Sequence, residues 1–252
     1  MTNQEAIFEY CLRIGDTSLI LGQRLAEWCG HGPILEEDIA LTNISLDLIG
    51  QTRGFYDYAC QVENKGRTED DLAFLRNDRD YRNLLMAEQP NGDFGQTIFR
   101  QFLISSYYTL FFTALSKSND ETLAALAQKS LKEVNYHLRH STEWMLRLGN
   151  GTEESARRMR TAVEELWMFT EDFFDMNDVD RILLQAGIGI DNSALRADWL
   201  HFAQDKMKEA GLLIPEKSFA IRGSREGKHT EHLGHILAEM QSLHRAHPGA
   251  TW

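Results

Sequence analysis

The sequence predicts an all-α fold: four long antiparallel helices with further helices packed around them. Three observations predict it. The four prolines, at positions 33, 90, 215 and 248, fall where the apolar periodicity breaks and leave long uninterrupted segments between them. Inside those segments apolar residues recur at three- and four-residue steps, the period of a helix face. No alternating stretch is long enough to build a sheet, and no repeat of fixed period is present.

Each element has its own signal. From Asn3 to Gly30, Ile7, Cys11, Ile14, Leu21, Leu25 and Trp28 form one stripe, while Phe8, Leu12, Leu19 and Ala26 form another. Two stripes on one helix imply burial against more than one neighbour. The second segment opens after Pro33 with the acidic turn Glu36, Glu37, Asp38, suited to the positive end of a helix, and runs to about residue 62. The polar piece Glu63 to Asp80 reads as a connection holding a short helix. Asp93, with Gln96 three residues on, predicts the start of a third, aromatic-rich helix. Ser118 with Glu121 reads as the capping box of a fourth, ending at GNG, where glycine suits a left-handed stop. Thr152 caps the next helix, through ARRMRTAVEELWMFTEDFF, and a short acidic turn follows. A helix started by Asn192/Ser193 runs to about Glu209, and TEHLGHILAEMQSLHRA forms the last.

At 252 residues and 42% hydrophobic content the chain can bury a real core. The expectation is one domain over residues 1–252, its core bundle at about 3–150 and extra helices at about 152–252. A formal net charge of -12 argues against non-specific nucleic-acid binding. The absence of an eighteen-residue apolar run argues against a membrane span. MTNQEAIFEYCLRIGD has neither the basic start nor the apolar block of a signal peptide, so a cytoplasmic location is expected. Cys11, Cys29 and Cys60 are far apart with no CxxC spacing, which fits small apolar residues in a reducing compartment.

Long helices with polar residues inside apolar stripes are where a carboxylate-bridged di-iron site is built. Two helices each give one carboxylate and two others each give Glu-x-x-His. Three residues before the nine histidines stand only two acids, Asp198 and Glu226, neither on the four long helices. Those helices hold only His137 and His140, both on the fourth, and Val134 occupies the position three before His137. Two such pairs therefore cannot be assembled. Glu133, four before His137, reads as a charge-assisted partner to it. Asp16, Asp47 and Gln101 interrupt apolar stripes on the other three helices. Burial obliges each to find a cation, a donor or a metal, and a degenerate centre where Asp16, Asp47, Gln101 and His137 converge is the sharper expectation. Near the carboxy end, His229, His232 and His235 recur every third residue and read as surface or interface polar groups. Arg157, Arg158 and Arg160 read as a solvated face. GSREGK is one residue short of a phosphate-binding loop, and no G-x-S-x-G elbow supports Ser-His-Asp catalysis.

The blocks RIGDTSLILGQRLAEWCGHGPILEEDIALTNISLDLIGQTR, MAEQPNGDFGQTIFRQF, HLRHSTEWMLRLGNGT and GKHTEHLGHILAEMQ, in this order, resemble the C-subunit family of the bacterial phenylacetyl-CoA 1,2-epoxidase, the ring-1,2-phenylacetyl-CoA oxygenase. The resemblance spans nearly the whole chain. It implies a ferritin-like four-helix bundle with additional C-terminal helices, a diverged copy of the epoxidase's catalytic subunit, with which it pairs as a structural partner. It also implies that the di-iron centre lies in that catalytic subunit and that electrons come from NADPH through a reductase, with other oxygenase and reductase subunits in the complex. No cofactor is then expected in this chain and no catalytic residue carries over. Two rivals remain: an oxidoreductase with its own iron on Asp16, Asp47, Glu133 and His137, and a ferritin-like homodimer unconnected with oxygenation.

Overall fold

The computed structural model describes residues 1–215 and 219–250. Among them there is no strand, and four long helices carry the architecture. These are α1 (Asn3–Ala26), α2 (Leu35–Glu63), α4 (Phe94–Leu115) and α5 (Glu121–Gly149). The short α3 (Glu69–Phe74) lies in the connection after α2. Then come α6 (Glu153–Leu166), α7 (Asp178–Gln185), α8 (Leu195–Glu209), α9 (Glu231–Met240) and α10 (Ser242–Ala246). No helix among the described residues is long and apolar enough to cross a membrane.

Side-chain caps set most starts. Thr2 and Glu5 form a capping box on α1, Asp93 accepts from the Gln96 amide at α4, and Thr152 accepts from the Ser155 amide at α6. The cap of α5 is Asp120 rather than Ser118. The Ser118 hydroxyl sits two residues upstream, accepting from the Asp120 amide and donating to the Ile188 carbonyl. At the far end of α5, Asn150 has φ -99°, so the stop is not left-handed. Gly149 serves close approach instead: a Cβ there would lie 2.2 Å from the Ala210 carbonyl oxygen. The Asn150 side-chain amide donates to both Leu146 O and Glu209 O, tying the ends of α5 and α8 together. Residues Trp167–Phe174 leave the α-helix for a 3₁₀ run, and the acidic turn beyond it is α7, started by an Asn177/Asp180 capping box.

Helices α1 and α2 form one hairpin and α4 and α5 another, with α2 against α5. Aromatic rings fill the space between hairpins. Tyr10 meets Phe111 across α1 and α4, and Phe55 stacks on Phe112 across α2 and α4, both at 6.1 Å between centroids. The α1–α2 contact is close because α1 carries glycines seven residues apart. Thr52 donates to the Gly15 carbonyl at 3.2 Å and Ser45 to the Gly22 carbonyl at 2.8 Å. A Cβ on Gly15 would sit 2.5 Å from the Tyr56 ring, so only glycine leaves room for it. Gly15→Ala is expected to cost about 1–3 kcal/mol, the usual toll of overpacking, read as a lower urea midpoint.

Candidate functional site

The polar side chains inside the bundle fall into separate groups. Asp16 is fully buried on α1 and faces the 76–82 segment and Tyr56 of α2, away from Asp47, Gln101 and His137. Arg76 reaches both of its oxygens through Nη1 and Nη2, the Tyr56 hydroxyl donates to Oδ1, and the Arg82 amide donates to Oδ2 at 2.7 Å. Burial pulls the Arg76 pKa down, but Asp16 outweighs it and the net shift is upward, so the guanidinium stays charged. Burial and the Asp16 charge both push Tyr56 well above its ordinary value, which keeps it a neutral donor. This carboxylate has four donors and no vacancy for a cation.

A second group crosses the α2–α5 seam. His137 is fully buried, and its Nε2 lies 3.0 Å from Oδ2 of the partly exposed Asp47. Gln51 donates to Glu133 at 2.9 Å, and Ser18 donates to Gln51 at 3.4 Å, extending the link to α1. His140 Nε2 meets Glu37 Oε2 at 2.8 Å. Glu133 and His137 are therefore not partners of each other; each takes its own residue on α2. Gln101, on α4, is turned to its own helix and donates to Ser105 at 2.9 Å. Of the four residues expected to converge, only Asp47 and His137 touch. The reason is competition: Arg76 and the Arg82 amide lie in a connection packed on α1 and take Asp16 away from the bundle axis.

This donor set does not fit a two-iron centre. Such a centre needs several carboxylates and imidazoles around one point. Here Val134, buried, fills the position three before His137, and the amide of Gln51 meets the Glu133 carboxylate. No group of three or more His, Cys, Asp or Glu able to hold a metal occurs among the described residues.

His229 is not a surface group. Its side chain is 6% exposed, with Nδ1 2.9 Å from Glu88 Oε2 and Nε2 3.0 Å from the Tyr81 carbonyl. His232 is half-buried and His235 exposed on α9. The three split because His229 precedes the helix and enters the groove under the 81–89 segment.

The family described as "Phenylacetic acid catabolic protein" matches residues 1–252. The chain belongs to the phenylacetic acid catabolic protein family. Within it, the chain is similar to the C subunit of the 1,2-phenylacetyl-CoA epoxidase of Escherichia coli (strain K12), 48% identical over 243 residues, which covers 96% of this chain and 98% of that protein. The bundle of this family member is thus held at its centre by pairwise side-chain links, and several carriers of those links have no sequence signal. Gln51 and Ser18 are uncharged and carry no spacing rule. Arg76 lies in a segment that reads as a polar connection, and Glu88 precedes Pro90 in a stretch without helical period. A buried acid on α1 does call for a cation somewhere; only the fold says which.

Proposed function

We propose that this chain is a non-catalytic structural subunit of a multicomponent phenylacetyl-CoA 1,2-epoxidase of aerobic phenylacetate catabolism in the cytoplasm. It folds as one ferritin-like domain and pairs with a homologous di-iron catalytic subunit, which receives electrons from NADPH through a reductase. The observation that carries this reading is the α2–α5 seam. The side chains in ligand-like places, His137 and Glu133, are engaged by Asp47 and Gln51, and Val134 stands where a bridging glutamate would have to be. A helix pair organised in this way holds a shape and offers no reacting group. The name of the 48%-identical relative supplies the substrate class and the multicomponent context.

The test is co-expression with the catalytic-subunit homologue of the same organism, followed by sizing, metal analysis and turnover of phenylacetyl-CoA with and without this chain. A stable complex is expected, with iron on the catalytic partner and turnover falling when this chain is omitted. Stoichiometric iron on the purified chain with an oxo-bridge absorption band would overturn the reading, and so would a catalytic partner fully soluble and active alone.

A further inference from the structure

Solvent-facing stripes of helices are ordinarily charged, and α2 departs from that. Between the exposed Glu36 and Arg53, its outermost positions are Ile39, Asn43, Leu46 and Gly50, with no charge among them, and Leu35 lies at the head of the same face. Leu35 is 71% exposed, Ile39 53% and Leu46 63%. Gly50 is costly in a helix interior, and nothing inside the chain requires it: a Cβ there would meet no atom within 4 Å. That is the opposite of Gly15, whose missing Cβ makes room for Tyr56. The want of a side chain at Gly50 suits a body approaching from outside.

Beside this stripe runs the outer face of α5. Lys129, Lys132, Arg139 and Arg147 lie along one side of it, around the 41%-exposed Tyr136, with the exposed Glu143 as the one acid between them. Among the described residues none of the four has a carboxylate within ion-pair distance; Arg139 lies over the Tyr136 ring and Arg147 over the Trp144 ring. On a chain of formal net charge -12, four cations against the single carboxylate of Glu143 make this row locally basic.

We infer that the shared α2–α5 face is the docking surface for the partner, and that the partner meets it with a carboxylate-bearing helical ridge. This rests on the assembly proposed above. The dimensions fit. Both helices have 29 residues, each about 43 Å long at 1.5 Å per residue. Side by side they offer on the order of 800 Å², about what each partner buries in a stable interface. A second copy does not supply the matching charge: a two-fold axis across the helices sets the basic row on itself, and one along them sets it on the uncharged stripe of α2. A partner with acidic residues opposite α5 and a bulky apolar residue over Gly50 satisfies both halves of the surface.

The experiment measures affinity for the catalytic-subunit homologue of the same organism by calorimetry, using the full chain and four variants. Leu46→Glu and the pair Lys132→Glu/Arg139→Glu are each expected to weaken binding at least tenfold, and the charge-reversed pair to flatten its salt dependence. Gly50→Leu is expected to weaken binding while preserving or raising the melting temperature of the free chain, a split that a folding defect would not give. Leu243→Glu, on exposed α10, should bind as wild type. Face variants that bind like wild type, beside a wild type that does bind, would overturn this inference alone. A wild-type chain that fails to bind the catalytic homologue would overturn the assembly and the inference with it. An isolated chain that forms a homodimer dissolved by Leu46→Glu would overturn it in favour of a second copy.

Discussion

Arg76→Met is expected to destabilise the chain by about 3–5 kcal/mol, because it leaves the Asp16 carboxylate buried without its cation. Asp16 is 0% exposed and Arg76 8% exposed, so water cannot take over the lost charge. Tyr56 and the Arg82 amide would still donate to Asp16, which places the loss toward the lower end of that range. The double variant Asp16→Asn/Arg76→Met is expected to be less destabilised than the sum of its singles, since the remaining oxygen and amide carry no net charge. Urea denaturation of the four species closes the cycle. An Arg76→Met variant within about 1 kcal/mol of wild type would sink the argument, since that is what a solvent-exposed pair contributes.

The same arrangement recurs at three other carboxylates. Asp172 accepts from the amides of Leu85, Gly223 and Ser224, Asp180 pairs with Arg13 at 2.8 Å, and Glu88 gathers the start of α9. Each is fully buried, and each joins segments far apart in the chain. Irregular stretches such as 75–93 and 219–230 cannot satisfy their amides internally, so buried acids on neighbouring elements do it for them. The cores of the extra helices are thereby fastened to α1 and to the connection after α2. For the structural role proposed above, that fastening would hold the docking surface in shape.

The long helices were legible because their signals are local. Apolar period, the Asp93 and Thr152 caps and the acidic turn at Glu36–Asp38 all act within a few residues. The departures came where distant packing decides. Trp167 stacks on Trp199, and the chain tightens there into i→i+3 bonds, so one helix in the sequence pattern becomes a helix and a 3₁₀ run. The last helix breaks at Gln241 because its side chain donates to the carbonyls of Ala73 and Arg76. At the centre, periodicity told that Asp16, Asp47 and Gln101 interrupt apolar faces. It could not tell which donors reach them. Arg76 lies sixty positions from Asp16, and His137 and Asp47 meet only because α2 and α5 run side by side. His229 shows the converse: a period of three suggested one shared surface, yet the residue lies before α9, where helical spacing does not apply.

The second large effect belongs to Glu88. Its carboxylate accepts from Asn83 Nδ2, His229 Nδ1, and the Thr230 amide and hydroxyl, and it is 0% exposed. All of these are donors, so both oxygens must be acceptors and glutamine cannot substitute without aiming its NH₂ at one of them. Glu88→Ala and Glu88→Gln are both expected to destabilise by about 3–5 kcal/mol and to expose the segment before α9 to limited proteolysis. His229 gives this clamp its pH dependence. Its two ring nitrogens face acceptors, Glu88 and the Tyr81 carbonyl, so both must carry protons. Burial lowers the His229 pKa, but the Glu88 hydrogen bond and charge, with the Tyr81 carbonyl, outweigh that and raise it above its ordinary value. A group whose pKa is raised by folding stabilises fully below its unfolded value, about 6.5, and the contribution fades as pH rises through the folded value. Wild-type stability is therefore expected to fall on the alkaline side of about pH 6.5, and Glu88→Ala to lose that slope along with the clamp. Equal slopes in the two proteins would mean that the imidazolium is held by something other than Glu88.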